Sequence, residues 1–200
     1  MNPLSLVFAL VLLLLSGCAS MTMQEAQEQT PPSPTSEKAL LVFLRPPLAG
    51  SDSPVSVYDV TSGNPFFIGI LASNTKVYRL TDPGHRTFMV VADGADFMQA
   101  DLVAGKTFHG LVIPGREAEK DHFFLYPVKN NPASEFHAAS RDFTSWLTSA
   151  KLVENAPAAE QWAWDNNADV LEKYHEYWPK WLRKTAAEKE RQTLRPGDGG

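Results

Sequence analysis

The stretch ALLVFL at residues 39–44, followed by Arg45-Pro46-Pro47, decides the fold that this sequence predicts. A short run that is apolar at every position is typical of a strand that is covered on both faces. Proline has no N–H to donate to a strand ladder, so the two prolines end the strand. The stretch therefore predicts a buried strand with protein on both sides of it.

Seven more short runs, apolar or alternating, follow this strand at a spacing of about ten residues. They cover residues 55–60, 66–71, 76–80, 85–92, 97–103, 106–113 and 122–128. Turn signals separate them, among them the hairpin signal Asp93-Gly94. Because no helix-length pattern interrupts the runs, a parallel sheet of βαβ units is not expected. The predicted fold is mainly β, an antiparallel β-sandwich of about seven to eight strands over residues 39–133.

After residues 130–132, Asn-Asn-Pro, the apolar spacing changes from that of strands to that of helices. Phe143, Trp146 and Leu147 share one face of a short helix, for which Ser140 is the expected N-cap.

A longer helix is expected from about Pro157, with a kink or break at Pro179, whose ring meets the carbonyl four residues before it. The sequence therefore predicts a C-terminal α-helical extension over residues 134–192. A charged and then glycine-rich end predicts a disordered tail at residues 193–200.

All five tryptophans of the chain lie in this extension. An aromatic helix face either packs on the sheet and completes the core, or forms a surface for a partner, because Trp and Tyr dominate both kinds of contact. Both interpretations stay open. The candidate partner-binding residues are Trp162, Tyr174, Tyr177, Trp178 and Trp181.

The N-terminus has the pattern of an export signal. Residues 4–15 are almost entirely apolar, but a membrane-spanning helix needs about 20 such residues. Leu15, Ser16, Gly17 and Cys18 then resemble the bacterial lipobox. The resemblance implies that residues 1–17 are a signal peptide, that signal peptidase recognises Leu15, Ser16 and Gly17, and that Cys18 receives a diacylglycerol and an acyl chain. Because Cys18 is the only cysteine, no disulfide is expected.

Residues 18–38 predict a disordered tether behind this lipid anchor. They are polar, include three prolines, and bury too little apolar surface to fold. Such a tether spans at most roughly 65 Å and would hold a domain clear of the lipid head groups. In lipoproteins of this kind the residues after the cysteine direct sorting, and Ala19-Ser20 implies the periplasmic face of the outer membrane.

Few residues carry a catalytic or metal-binding pattern. None of the five histidines belongs to an HxH or HExxH pair, and the sequence has no phosphate-binding glycine loop or G-x-S-x-G elbow. With 18 basic and 23 acidic residues, no nucleic-acid-binding face is indicated. One alternative stays open, because His109, Asp121 and His122 would form an acid/base or metal site if their strands placed them together.

Four segments of the strand region resemble a family of bacterial lipoprotein domains of unknown function. They are ALLVFLRP at residues 39–46, FFIGIL at 66–71, KVYRLTDPGHRTFMV at 76–90 and LVAGKTFHGLVI at 102–113. The Pro-Gly-His hairpin within them is also similar to that of PEGA-type surface modules, which are small β-sandwiches. The resemblance implies a β-sandwich in the bacterial envelope and no known catalytic residue.

These features together predict a lipid-anchored outer-membrane protein that is not an enzyme, carries no metal, and has no cofactor besides its covalent lipid. It is expected to act as an interaction or structural module, with the membrane and an envelope protein or peptidoglycan as partners and no nucleic acid. Two alternatives stay open. One is a lipoprotein that binds peptidoglycan or another glycan, and the other is an envelope hydrolase with the His/Asp site.

Overall fold

The computed structural model describes residues 22–50, 53–115 and 122–200. The lipobox residues Leu15, Ser16, Gly17 and Cys18 lie outside the described residues, and so does Asp121. Within the described residues, no helix is both long enough and apolar enough to cross a membrane.

The described residues form strands in two sheets and four α-helices. The strands are β1 (Met23–Glu25), β2 (Ala39–Arg45), β3 (Val55–Asp59), β4 (Phe66–Leu71), β5 (Thr75–Thr81), β6 (Gly84–Val91), β7 (Ala95–Leu102), β8 (Thr107–Pro114), β9 (Phe123–Pro127), β10 (Lys151–Asn155) and β11 (Thr193–Leu194). The helices are α1 (Arg141–Ser149), α2 (Ala159–Asp165), α3 (Asn167–Leu182) and α4 (Ala186–Arg191), with a 3₁₀ turn at Pro196–Asp198. The first sheet has the order β1-β10-β5-β2-β8-β9, and the second has the order β11-β7-β6-β3-β4.

Strand β2 lies inside the first sheet, and every one of its residues is buried. Leu41 and Phe43 point into the core between the two sheets. Leu44 points the other way, toward Phe143 of α1. The prediction of a strand covered on both faces is therefore confirmed.

Helices cover the outer faces of both sheets, so the layers follow the order helix, sheet, sheet, helix. Phe143 of α1 packs with Leu111 on the outside of the first sheet. On the outside of the second sheet, α3 places Trp181 against Met89 and Phe97. Both sheets thus carry helices on their outer faces, which explains why β2 is apolar at successive positions rather than alternating.

The predicted sandwich is confirmed in coarse form, as a mainly β fold of two packed sheets, but its purely antiparallel form is wrong. The sheets are mixed, since β2 pairs with β8, β5 with β10 and β7 with β11 in parallel. The described residues also form more than the predicted seven to eight strands. The chain crosses between the sheets after β2, β4, β5, β7 and β10, so that strands distant in sequence become neighbours. Sequence spacing alone does not reveal such pairings.

The predicted disordered tether over residues 18–38 is wrong for its described part around β1. Strand β1 pairs antiparallel with β10, Ala26 is buried, and the Gln29 side chain accepts a hydrogen bond from the N–H of Leu152 at 2.8 Å. An edge strand needs only backbone groups to complete its ladder, so a polar sequence fits there.

The predicted disordered tail over residues 193–200 is also wrong. Strand β11 lies beside β7, and the terminal Gly200 exchanges two backbone hydrogen bonds with Thr107. A buried carboxylate, Asp96, holds this end of the chain through Gln192 and Lys184, whose Nζ lies 3.0 Å from Asp96 Oδ1. The backbone N–H of Leu125 also donates a hydrogen bond to the Asp96 carboxylate, at 3.0 Å. A buried charge is tolerated only when it is paired in this way.

The predicted single long helix with a break at Pro179 is wrong in the position of the break. Asn166 ends α2 and starts α3, and α3 continues through Pro179 to its end. Trp178 and Trp181, on either side of that proline, stack with ring centroids 5.1 Å apart and both pack against Phe97. This packing offsets the hydrogen bond that the proline removes.

Replacing Trp181 by alanine is expected to lower the free energy of unfolding by about 3–5 kcal/mol. Trp181 is 2% exposed, and its Nε1 donates to the carbonyl of Phe97 at 3.2 Å. Urea unfolding monitored by circular dichroism measures this change. The matched control is Trp164→Ala, which should alter stability by less than about 0.5 kcal/mol because Trp164 is 78% exposed. Equal losses in the two variants would show that α3 is not part of the core.

Replacing Asp96 by alanine is expected to cost about 3 kcal/mol, because Lys184, Gln192 and the N–H of Leu125 lose their common acceptor. The same unfolding measurement tests it, together with limited proteolysis of the C-terminal segment, which should become faster. Glu172→Ala, at an exposed position of α3, is the control and should leave both readings unchanged. Stability of Asp96→Ala at the level of that control would contradict the anchoring role.

Candidate functional site

Four of the five aromatic residues predicted as partner-binding lie on α3 and pack against the second sheet. The rings of Tyr174, Trp178 and Trp181 lie 6.0, 5.0 and 6.3 Å from the ring of Phe97. Tyr177 is partly buried in the same cluster. These contacts correspond to the core-packing interpretation of the aromatic face.

The fifth predicted residue, Trp162, lies on α2 and packs its ring 5.4 Å from that of Phe67 on β4. It is partly buried and stands between two separate hollows of the surface. The five predicted residues therefore do not form one exposed aromatic surface.

Two aromatic residues outside that set are exposed. Trp164 on α2 is 78% exposed, and Phe66 on the edge strand β4 is 56% exposed. Positions two apart on a helix face different sides, so Trp164 points away from the sheet while Trp162 packs on it. Both exposed rings line a hollow of about 660 Å³, which we name the Trp164 cleft. The lining of this cleft also includes Tyr58, Arg79, Asn155 and Asn167.

Arg79 supplies a cation to the Trp164 cleft. Its guanidinium carbon lies 4.1 Å from the centroid of the Phe66 ring, and its Nε lies 3.7 Å from the Asp59 carboxylate. Burial lowers the pKa of Arg79 from its ordinary value, and the Asp59 charge opposes this effect. The guanidinium remains charged at any physiological pH and is partly desolvated, which strengthens its attraction for an anion.

Two polar atoms in the lining of the Trp164 cleft are buried and make no hydrogen bond, although one of them, Arg79 Nε, is in an ion pair with Asp59. Among the described residues, only three buried side-chain polar atoms make no hydrogen bond, namely Tyr58 Oη, Arg79 Nε and His137 Nδ1. The first two belong to the cleft lining. Burial raises the pKa of Tyr58 to about 12, with the Ser56 side chain partly opposing, so the phenol keeps its proton. The Ser56 hydroxyl itself donates to the carbonyl of Val91 at 3.2 Å.

Both atoms are buried, so a ligand of the cleft would contact the exposed rings and the partly exposed Arg79 side chain rather than these two atoms. The arrangement of two exposed rings and a cation can bind a molecule that has both an apolar face and acceptor oxygens.

A second hollow, of about 800 Å³, lies on the other side of Trp162, and we name it the N-terminal groove. Its walls are mostly apolar and include Ile70, Val153 and Val170. Residues 22–25, the first that the structure describes, form part of its rim. Met23 on this rim pairs with Asn155, which lines the Trp164 cleft. Strand β1 therefore lies between the groove and the cleft.

The structure does not bring His109 and His122 together. His109 lies opposite Val128 in the β8–β9 ladder, and its ring contacts Phe143 of α1 at 5.1 Å. His122 lies opposite Gly115, which places the two ladder positions about 20 Å apart at 3.3 Å per residue. Asp121 is outside the described residues. Within the described ranges, no three His, Cys, Asp or Glu side chains form a cluster that could hold a metal ion.

Trp164, Phe66 and Arg79 are not among the site residues that the sequence predicts. One signal was present, because Trp162 and Trp164 stand two positions apart and cannot both face the sheet from one helix. The contact between Phe66 and Arg79 depends on how β4 of the second sheet packs against β5 of the first, which a single sequence does not show.

Comparisons of the chain with protein-family models, with curated proteins and with solved structures find no match. The resemblance to a family of bacterial lipoprotein domains therefore stays a prediction, and the candidate site rests on its geometry alone.

His109 is expected to make the protein less stable at acidic pH. Burial, with a smaller contribution from Lys76, lowers the pKa of His109 from 6.5 to about 4. Between these values the unfolded chain binds more protons than the folded one, so stability falls as the pH drops from about 6.5 toward 4. The loss assigned to His109 between pH 7 and pH 4.5 is about 2 kcal/mol.

Urea unfolding of the wild type and of His109→Phe at the two pH values measures this contribution, and the variant should lose about 2 kcal/mol less than the wild type. His175→Gln, at an exposed position on α3, should keep the wild-type pH dependence. An unchanged pH dependence in His109→Phe would show that the imidazole is not desolvated against Phe143.

Proposed function

We propose that this protein is a lipid-anchored, non-catalytic binding module of the bacterial envelope, and that the Trp164 cleft is its ligand-binding surface. The lipobox resemblance at Leu15–Cys18 supports the anchor, and Ala19-Ser20 supports the periplasmic face of the outer membrane. The observation that carries the binding role is the placement of the partly exposed Arg79 side chain beside two exposed rings, those of Trp164 and Phe66, in one cleft.

The composition of the cleft favours binding over catalysis. The described residues that line it include no His, Cys, Ser, Thr or Lys, and Glu160 is the one carboxylate among them. General acid–base catalysis needs a positioned proton donor and acceptor, and covalent catalysis needs an activated nucleophile. The cleft instead offers a cation, two amides and ring faces, which are groups that hold a ligand.

The ligand that fits these groups has an apolar face and anionic or hydroxylated oxygens. Trp164 and Phe66 can cover the apolar face, because aromatic rings bury large apolar areas with little loss of side-chain freedom. Arg79 suits a carboxylate or a phosphate, with its planar fork of donors.

A glycan is the second candidate ligand, and an exposed tryptophan beside the amides of Asn155 and Asn167 favours it. The C–H face of a sugar ring stacks on an indole, and the amides can pair with its hydroxyls. Peptidoglycan is the glycan present in the proposed compartment.

Trp164→Ala is expected to weaken binding to isolated envelope material at least about tenfold, as central aromatic residues of binding surfaces do. Co-sedimentation of the purified protein without its lipid, with peptidoglycan and separately with outer-membrane lipid vesicles, measures the affinity. Leu182→Ala is the matched control, because Leu182 is 50% exposed and lies outside the cleft. Undiminished binding of Trp164→Ala to both materials would reject the cleft as the binding surface.

The anchor has an independent test. Labelled palmitate should be incorporated into the wild-type protein in cells and should be absent from Cys18→Ser, because Cys18 is the only thiol in the chain. Label in both proteins, or in neither, would contradict lipidation at Cys18.

A further inference from the structure

The folded body begins very close to the proposed lipid anchor. Strand β1 starts at Met23, and the five residues from Cys18 to Met23 span at most about 18 Å when fully extended. Met23 pairs directly with Asn155, and the Cα atoms of such a pair lie about 5 Å apart. Asn155 lines the Trp164 cleft. The cleft therefore lies within about 25 Å of the lipidated cysteine, so the anchor holds this side of the protein at the membrane.

The surface on this side of the protein is rich in exposed apolar side chains. Phe66, Leu80 and Trp164 are all exposed in the described structure, and all three line the Trp164 cleft. The mostly apolar N-terminal groove opens beside the same segment, with Thr22 on its rim. Tryptophan favours the membrane–water interface, because its ring is apolar while its N–H still finds polar partners there.

The polar groups of the cleft complement an anionic head group. Arg79 lies among the exposed apolar side chains, with its guanidinium over Phe66, and can bind a phosphate with two parallel hydrogen bonds. A phospholipid in a bilayer offers both parts of this pattern, a phosphate and an adjoining apolar region.

We infer that the protein lies flat on the bilayer with the Trp164 cleft turned toward it, and that the ligand of the cleft is the anionic head group of a membrane phospholipid. This inference rests on the proposed function, both for the lipid on Cys18 and for the cleft as the binding surface.

The experiment uses the full lipidated protein in vesicles whose acyl chains carry bromine, which quenches the fluorescence of tryptophans that reach the bilayer. Vesicles of phosphatidylcholine alone are compared with vesicles that also contain phosphatidylglycerol. The wild type should be quenched, and Trp164→Phe should lose at least half of that quenching. Trp146→Phe should keep it, because α1 covers the outside of the other sheet. In Arg79→Gln the additional quenching caused by phosphatidylglycerol should disappear.

The outcomes separate this inference from the proposed function. Equal quenching in the wild type and Trp164→Phe overturns the membrane-facing cleft, and equal quenching in the two lipid mixtures overturns the anionic head group. If the first result occurs while Trp164→Ala still loses peptidoglycan binding, the cleft is a binding surface for glycan, and the proposed function survives without this inference. If neither lipid nor peptidoglycan depends on Trp164, the proposed function fails as well.

Discussion

The burial of both sheets on both faces is the constraint on which the rest of this structure depends. Strand β2 is buried at every position, so it requires a second sheet on one side and a helix on the other. The second sheet carries its own outer layer of large side chains, among them Met89 and Phe97, which α3 covers. The C-terminal third of the chain is therefore part of the core rather than an appendage of a separate sandwich.

The same constraint explains the position of the two ends of the chain. Once helices close the faces, the backbone groups of the sheet edges remain to be satisfied. Residues near the N-terminus pair with β10, and residues near the C-terminus pair with β7 beside the buried Asp96. The proposed anchor thus leads directly into the folded body, and the Trp164 cleft lies where the chain joins it.

The sequence predicted correctly those elements whose environment determines the amino acids at neighbouring positions. Residues 39–44 predicted a doubly covered strand, and Ser140 caps α1 as expected, accepting a hydrogen bond from the N–H of Phe143 at 3.1 Å. The edge strand β1 left no such signal, because backbone pairing imposes little on side chains, and β11 is buried but only two residues long, too short to form a pattern. The parallel pairing of β2 with β8 is set by the crossing of the chain between sheets, which has no local pattern. The sequence predicted Trp162 as a site residue, but its side chain packs inward against the sheet. The positions of Trp164 and Arg79 in the site depend on the tertiary structure, which no local sequence pattern shows.

The most direct test of this account is amide hydrogen exchange of β1 in the full native protein, since the position of the cleft beside the anchor depends on that strand. Pairing of β1 with β10 predicts that the hydrogen-bonded amides of both strands exchange far more slowly than those of an unfolded chain. Exchange of Met23–Glu25 at the rate of an unfolded chain would contradict the account. It would mean that a long mobile tether separates the anchor from the cleft.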